Sequence, residues 1–178
     1  MSGGVSMKRK PLTTKQLAFY GLMIALALIL SYLESLIPPF FAVPGMKLGL
    51  TNLVVLIMLY SKGARSAVFI NFVRILLVSL LFGNGMSFAY SMAGGLLSAL
   101  VMILLKRIGG FSIAAVSIAG GVAHNVGQII AAILLLQTTS IAWYLLILWF
   151  TGTVSGAVIG ILGGILCKKL QSARLFAE

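Results

Sequence analysis

Aspartate is absent from this chain, and its two acidic residues are Glu34 and Glu178. A carboxylate cluster of the kind that holds Mg²⁺ against a diphosphate therefore cannot be assembled here. Histidine and cysteine each occur once, as His124 and Cys167. One of each excludes a disulfide framework and leaves too few donors for a zinc-type site. Charge is scarce overall: 8% of the 178 residues are charged, against roughly a quarter in a soluble domain. Hydrocarbon takes its place. Hydrophobic residues make up 61% of the chain and the mean hydropathy is +1.16, more apolar surface than a water-soluble fold of this length can bury. The expectation is an integral membrane protein.

About 20 apolar residues cross a bilayer, and that ruler gives six spans, at 17–37, 49–61, 66–83, 87–105, 112–136 and 141–166, the second of them short. The apolar runs are too long and too little alternated for barrel strands, so the fold class is an all-α membrane bundle of six transmembrane helices. Pro38, Pro39 and Pro44 in IPPFFAVPG cannot continue a helix, which makes 38–48 a long connection able to form a structured loop. The chain divides into a basic N-terminal segment (1–16), a six-helix domain (17–168) and a tail (169–178). The first apolar stretch is too long for a cleavable signal and lacks a small-residue cleavage site, so it is expected to be retained as a span. No nucleotide-binding loop of the GxxxxGK[ST] type occurs.

The net charge of +11 would suit a nucleic-acid partner if it were clustered on a soluble face, but its distribution follows the membrane. Lys8, Arg9, Lys10 and Lys15 precede the first span, Lys62 and Arg65 separate the second from the third, Lys106 and Arg107 separate the fourth from the fifth, and Lys168, Lys169 and Arg174 follow the sixth. Eleven of thirteen cations thus lie on alternate connections. This is the positive-inside pattern for an even number of helices with both termini in the cytoplasm of a bacterial cell membrane. No nucleic-acid partner is expected.

Three ionisable residues fall within spans: Glu34, Arg74 and His124. Each would cost about 2.5–3.5 kcal/mol facing lipid near the bilayer centre, so each is expected to face protein or water. Glu34 sits near the outer end of the first span. Arg74 lies roughly 12 Å into the third, at 1.5 Å per residue. In GGVAHNVGQ (120–128), Gln128 follows His124 by one turn on the same face, and Asn52 opens the second span just after Lys47. The favoured reading of His124 and Gln128 is the lining of a cavity open to the outside. Bonding between helices is the competing one, and for Asn125 it stands level with a site role. Glu34 and Arg74 form a structural ion pair if their depths match, and Glu34 with His124 could relay protons.

Small residues form a second pattern. Gly152, Gly156, Gly160 and Gly164 recur every four residues in the last span, a stripe that admits a close neighbouring helix. Ala18, Gly21 and Ala25 make a weaker version in the first span, suited equally to internal packing or to a partner protein. SMAGGLLS (91–98) places Gly94 and Gly95 in the fourth. Trp143, Tyr144 and Trp149 lie toward span ends, where such rings anchor in the interface, and the first two are also placed to stack on a ring at the outer mouth.

PGMKLGLTNLVVL (44–56), the Arg74 span, SMAGGLLS and GGVAHNVGQ, in that order, resemble the Gx transporter family, often labelled heptaprenyl diphosphate synthase component I. The resemblance covers about residues 15–168. That family is similar in turn to the substrate-binding S components of energy-coupling factor (ECF) transporters. The resemblance implies an S-component-like bundle that captures a vitamin-like solute from outside. It implies assembly, through small residues of the first helix, with a transmembrane coupling subunit and two ATPase subunits. ATP would be used by those partners, and this chain would bind no cofactor and catalyse nothing. The ligand is expected under 38–48, with Lys47 and Arg74 supplying charge, Asn52, His124 and Gln128 supplying hydrogen bonds, Gly94 and Gly95 admitting it to the backbone, and Glu34 counted among the binding residues. A flavin is preferred over an isoprenoid or quinone-precursor compound, since rings stack on aromatic side chains. Two alternatives are a non-catalytic membrane partner of a prenyl diphosphate synthase and a stand-alone proton-coupled carrier.

Overall fold

The computed structural model describes residues 13–36 and 49–172, and its regular structure there is entirely helical. Residues 1–12, 37–48, which include Lys47 and the Pro-rich connection, and 173–178 lie outside the described residues. Six α-helices follow one another: α1 (Thr14–Ser35), α2 (Asn52–Ser61), α3 (Ala64–Phe82), α4 (Gly85–Ile108), α5 (Ile113–Leu136) and α6 (Tyr144–Ser172), the last entered through a 3-10 turn at Thr139–Trp143.

Local chemistry explains where the helices begin and end. Thr13 and Gln16 form a reciprocal cap before α1, each side chain bonding the other's backbone N–H at 3.3 and 3.1 Å. Asn84 and Ser112 accept from the backbone N–H of Ser87 and Ala115 to start α4 and α5. Gly109, with φ of 78°, closes α4 in a conformation that L side chains rarely adopt.

Five of these helical segments are long and apolar enough to cross a membrane, and the sixth is shorter. The chain is a multi-pass membrane protein. The expected second span is the exception: α2 has ten residues, about 15 Å or half a hydrocarbon core. It is also the central helix, packed against the other five, and every residue from Val54 to Leu59 is at most 2% exposed. A helix apolar all round needs neighbours all round, and α2 has them. α5 is clamped between α4 and α6, whereas α1 lies at the side, against α3 and part of α2.

Two apolar clusters result. One surrounds α2 with Met23, Ala27, Ile70, Met102, Val116, Ile159 and Cys167. The other joins Tyr90, Ile129, Ala132, Ile141 and Leu148 at the opposite end of the bundle. Along α4 and α5, Gly94 and His124 fall between the residues that feed these clusters, so a polar layer is sandwiched between two greasy ones. The cation-bearing helix ends also meet. Lys106 Nζ donates to the Leu59 carbonyl at 2.5 Å and lies 4.8 Å from the Tyr60 ring centre, closing the last turn of α2.

Close approach of α5 to α6 depends on glycine. A Cβ on Gly152 would lie 3.0 Å from the Gly121 carbonyl, one on Gly156 2.7 Å from the Ile118 Cα, and one on Gly160 2.6 Å from the Ala114 Cα. Gly164 departs from this stripe, because an added Cβ there meets nothing within 4 Å. Gly163 takes the inward place, under Leu56 of α2. The four-residue repeat drifts about 40° per step around a helix of 3.6 residues per turn, so its last member no longer faces α5.

Candidate functional site

The polar layer is built from five helices around the start of α2. Gly49, buried and with φ of 84°, turns the chain into α2. A Cβ there would be strained and would lie 3.0 Å from Asn52 Nδ2 and 3.3 Å from His124 Cδ2. From α1, Glu34 Oε1 accepts the backbone N–H of Gly49 at 2.5 Å and that of Leu50 at 3.3 Å. A carboxylate thus sits at the N-terminal end of a half-length helix, where unpaired N–H groups and the helix dipole favour negative charge.

Arg74 of α3 reaches the same turn from another side. Its Nη1 donates to the Thr51 hydroxyl, and its Nε donates to Asn71 Oδ1 at 3.0 Å. Asn71 Nδ2 in turn donates to the Gly95 carbonyl of α4 at 2.9 Å, so one chain of hydrogen bonds links α2, α3 and α4. Glu34 and Arg74 therefore reach the same short turn, although their places along their spans suggested different depths. The reason lies in helix offset and side-chain length. α1 starts lower than α3, with Tyr20 Oη bonded to Ser66 Oγ near the first turn of α3, and the guanidinium extends well beyond its own Cα.

On α5, Gln128 Nε2 donates to His124 Nε2 at 3.1 Å, one turn apart. Gly94 makes room for both side chains: a Cβ on it would lie 2.7 Å from the His124 carbonyl and 2.9 Å from Gln128 Cγ. Over Gly95 the space belongs to Ile75 and Asn71. Both glycines serve helix approach in this structure, and the space above each is filled by side chains of the protein itself.

Glu34, Asn52, Arg74, His124 and Gln128 are each at most 5% exposed, and the structure gathers them with Gly94 and Gly95 into one layer. Asn125 stands apart, turned toward α6, where its Nδ2 donates to the Leu148 carbonyl at 2.5 Å. Trp143 is 78% exposed and faces away from the bundle. Ala18, Gly21 and Ala25 all lie on the exposed side of α1. Thr51, Asn71 and Gly49 are members of the layer that the sequence did not flag. Asn71 precedes Arg74 by three residues and so shares its helix face, which was the available signal.

Arg74 Nη2 and Asn52 Nδ2 are buried donors in this layer, and neither has a hydrogen-bond partner among the described residues. An unmet buried donor costs about 1–3 kcal/mol, more when charged, so such groups call for an explanation.

Fold and site together define a polytopic helical membrane protein with a buried, multi-helix polar layer at the start of a half-length helix. The chain belongs to the heptaprenyl diphosphate synthase component I family, whose model matches residues 23–166. No curated protein and no solved structure matches it.

Proposed function

We propose that this chain is the solute-binding S component of an ATP-driven transporter of the ECF type, taking a small vitamin-like molecule from the outer side of the bacterial cell membrane. The observation that carries the proposal is the pair of buried donors, Arg74 Nη2 and Asn52 Nδ2, which have no acceptor among the described residues in the middle of a greasy bundle. A solute bearing carbonyl or phosphate oxygens supplies the missing acceptors, and a cationic solute does not. A flavin, with its carbonyl edge, remains the preferred ligand, ahead of an isoprenoid or quinone-precursor compound. The Pro-rich connection with Lys47 would cover it. Both termini would be cytoplasmic, the chain itself non-catalytic, and the energy would come from two partner ATPases through a coupling subunit.

The deciding experiment is mass spectrometry of small molecules released from gently purified protein, together with uptake in cells lacking the coupling ATPases. A recurrent oxygen-rich solute, and uptake lost with the ATPases, support the reading; lipid alone in repeated, partner-competent preparations sinks it. Within the site, His124→Ala and Gln128→Ala should each weaken binding of that solute by about tenfold or more. The melting temperature of the empty protein should fall by no more than about 4 °C. A large thermal loss with unchanged binding would return both residues to helix packing.

Partner assembly is tested on α1. No heavy atom lies within 4 Å of a Cβ built on Gly21, and Ala25 is exposed. Gly21→Leu and Ala25→Leu should therefore leave folding and solute binding unchanged. Copurification of the coupling subunit should drop severalfold, and its full retention would move the docking face elsewhere.

A second reading takes the family's description at its word: a non-catalytic membrane component of a prenyl diphosphate synthase. It predicts tight copurification with a soluble synthase subunit and no solute in the polar layer.

A further inference from the structure

A groove of about 590 Å³ runs down the outer surface of the bundle between α3 and α4, away from the polar layer. Its walls are Val68, Phe69 and Phe72 on α3 and Leu96 and Ile103 on α4, with Arg65 and Arg107 at one end. Phe69 is 55% and Leu96 45% exposed, so the groove opens sideways, toward where lipid tails lie in a membrane. From Leu96 to Arg107 the groove follows α4 for roughly 16 Å, close to one leaflet's share of a hydrocarbon core about 30 Å thick.

The charge at its end has one sign. Arg65 and Arg107 are both exposed. Lys106, their neighbour, is turned away onto the Leu59 carbonyl and the Tyr60 ring. α3 starts at the same place, at Gly63, with no side chain capping its first amides, so the positive end of that helix adds to the two guanidinium groups. Two arginines at a membrane surface, over an apolar slot of leaflet depth, match one chemistry: an acyl chain below and a phosphate diester above. Guanidinium forks pair well with phosphate oxygens, and basic pockets between transmembrane helices recur as sites for anionic headgroups.

We propose that this groove is a binding site for one anionic phospholipid, its phosphate held by Arg65 and Arg107 and an acyl chain laid against Phe69, Phe72 and Leu96. The positive-inside pattern places that lipid in the cytoplasmic leaflet. The site is independent of the solute reading, since it shares no residue with the polar layer.

Native mass spectrometry of the full chain tests this. The protein is released from detergent after mixing with equal amounts of phosphatidylglycerol and phosphatidylcholine of the same acyl composition. Phosphatidylglycerol should be retained selectively, and the Arg65→Gln/Arg107→Gln double variant should lower its retention by about 30-fold, the loss of two surface-strength charge contacts. Lys168→Gln/Lys169→Gln, a loss of equal charge elsewhere, should leave retention unchanged. Leu96→Trp should displace the lipid by filling the slot with both arginines intact. Equal retention of the two lipids by the unaltered protein would overturn the proposal, a result that needs no variant to fold. So would selectivity that survives the double variant, or displacement of the bound lipid by excess inorganic phosphate alone, which would mark a free-anion site.

Discussion

Gly121→Leu should drive α5 and α6 apart and cost the protein more than about 3 kcal/mol of stability, the upper range of overpacking penalties. A Cβ on Gly121 alone would lie 2.5 Å from the Gly152 carbonyl and 3.4 Å from the Gly156 Cα. These are backbone atoms of the facing helix and cannot swing aside as a flexible side chain would. The whole helix has to move, and with it the Asn125 bond to the Leu148 carbonyl. Gly164→Leu, on the facing helix α6, is the control: same added volume, but open space around the site. Its effect should stay within about 0.5 kcal/mol. Thermal melts of the two variants in the same detergent make the comparison. Equal melting temperatures would mean that the α5–α6 contact is not set by these glycines.

Arg74→Met should be the second severe change, at about 3–5 kcal/mol, the usual cost of removing one partner from a buried ionic arrangement. Methionine keeps much of the bulk but strips a donor from Asn71 Oδ1 and from the Thr51 hydroxyl. It also removes the positive charge that faces the turn held by Glu34. Glu34→Gln alone should cost less, because an amide oxygen can still accept from Gly49 N–H. The informative quantity is the double variant. If the Gly49–Asn52 turn couples the two groups, Glu34→Gln/Arg74→Met should fall short of the summed single losses by about 1 kcal/mol or more. Strict additivity, measured by unfolding of all four proteins, would show that the layer consists of separate contacts and not one network.

These two substitutions also divide what can be read from sequence from what cannot. The glycine repeat of α6 was visible as a pattern, and Gly152, Gly156 and Gly160 do lie against α5. Where that contact ends was not visible, because helical drift rotates Gly164 out, while Gly163 meets Leu56 of α2 instead. The polar residues that break the apolar spans were likewise evident one by one. Their partners were not, since Thr51 and Asn71 are ordinary residues until a folded bundle brings Arg74 against both. Gln128 and His124 could be paired beforehand, because a spacing of four residues on one helix is a local rule.

The amino-acid sequence alone therefore determined that the chain lives in a membrane as a bundle of helices, where most of those helices lie and which of their ends carry the positive charge. Those features follow from hydropathy, helix period and charge placement, all of which act along the chain. Tertiary structure alone decided that the short α2 is the central helix, that Glu34 and Arg74 meet at its first turn, and that Gly94 and Gly95 are covered by neighbouring side chains. Each of these depends on the axial offset and rotation of one helix relative to another. That offset is set by the packing of whole side-chain surfaces, and no local pattern in the sequence encodes it.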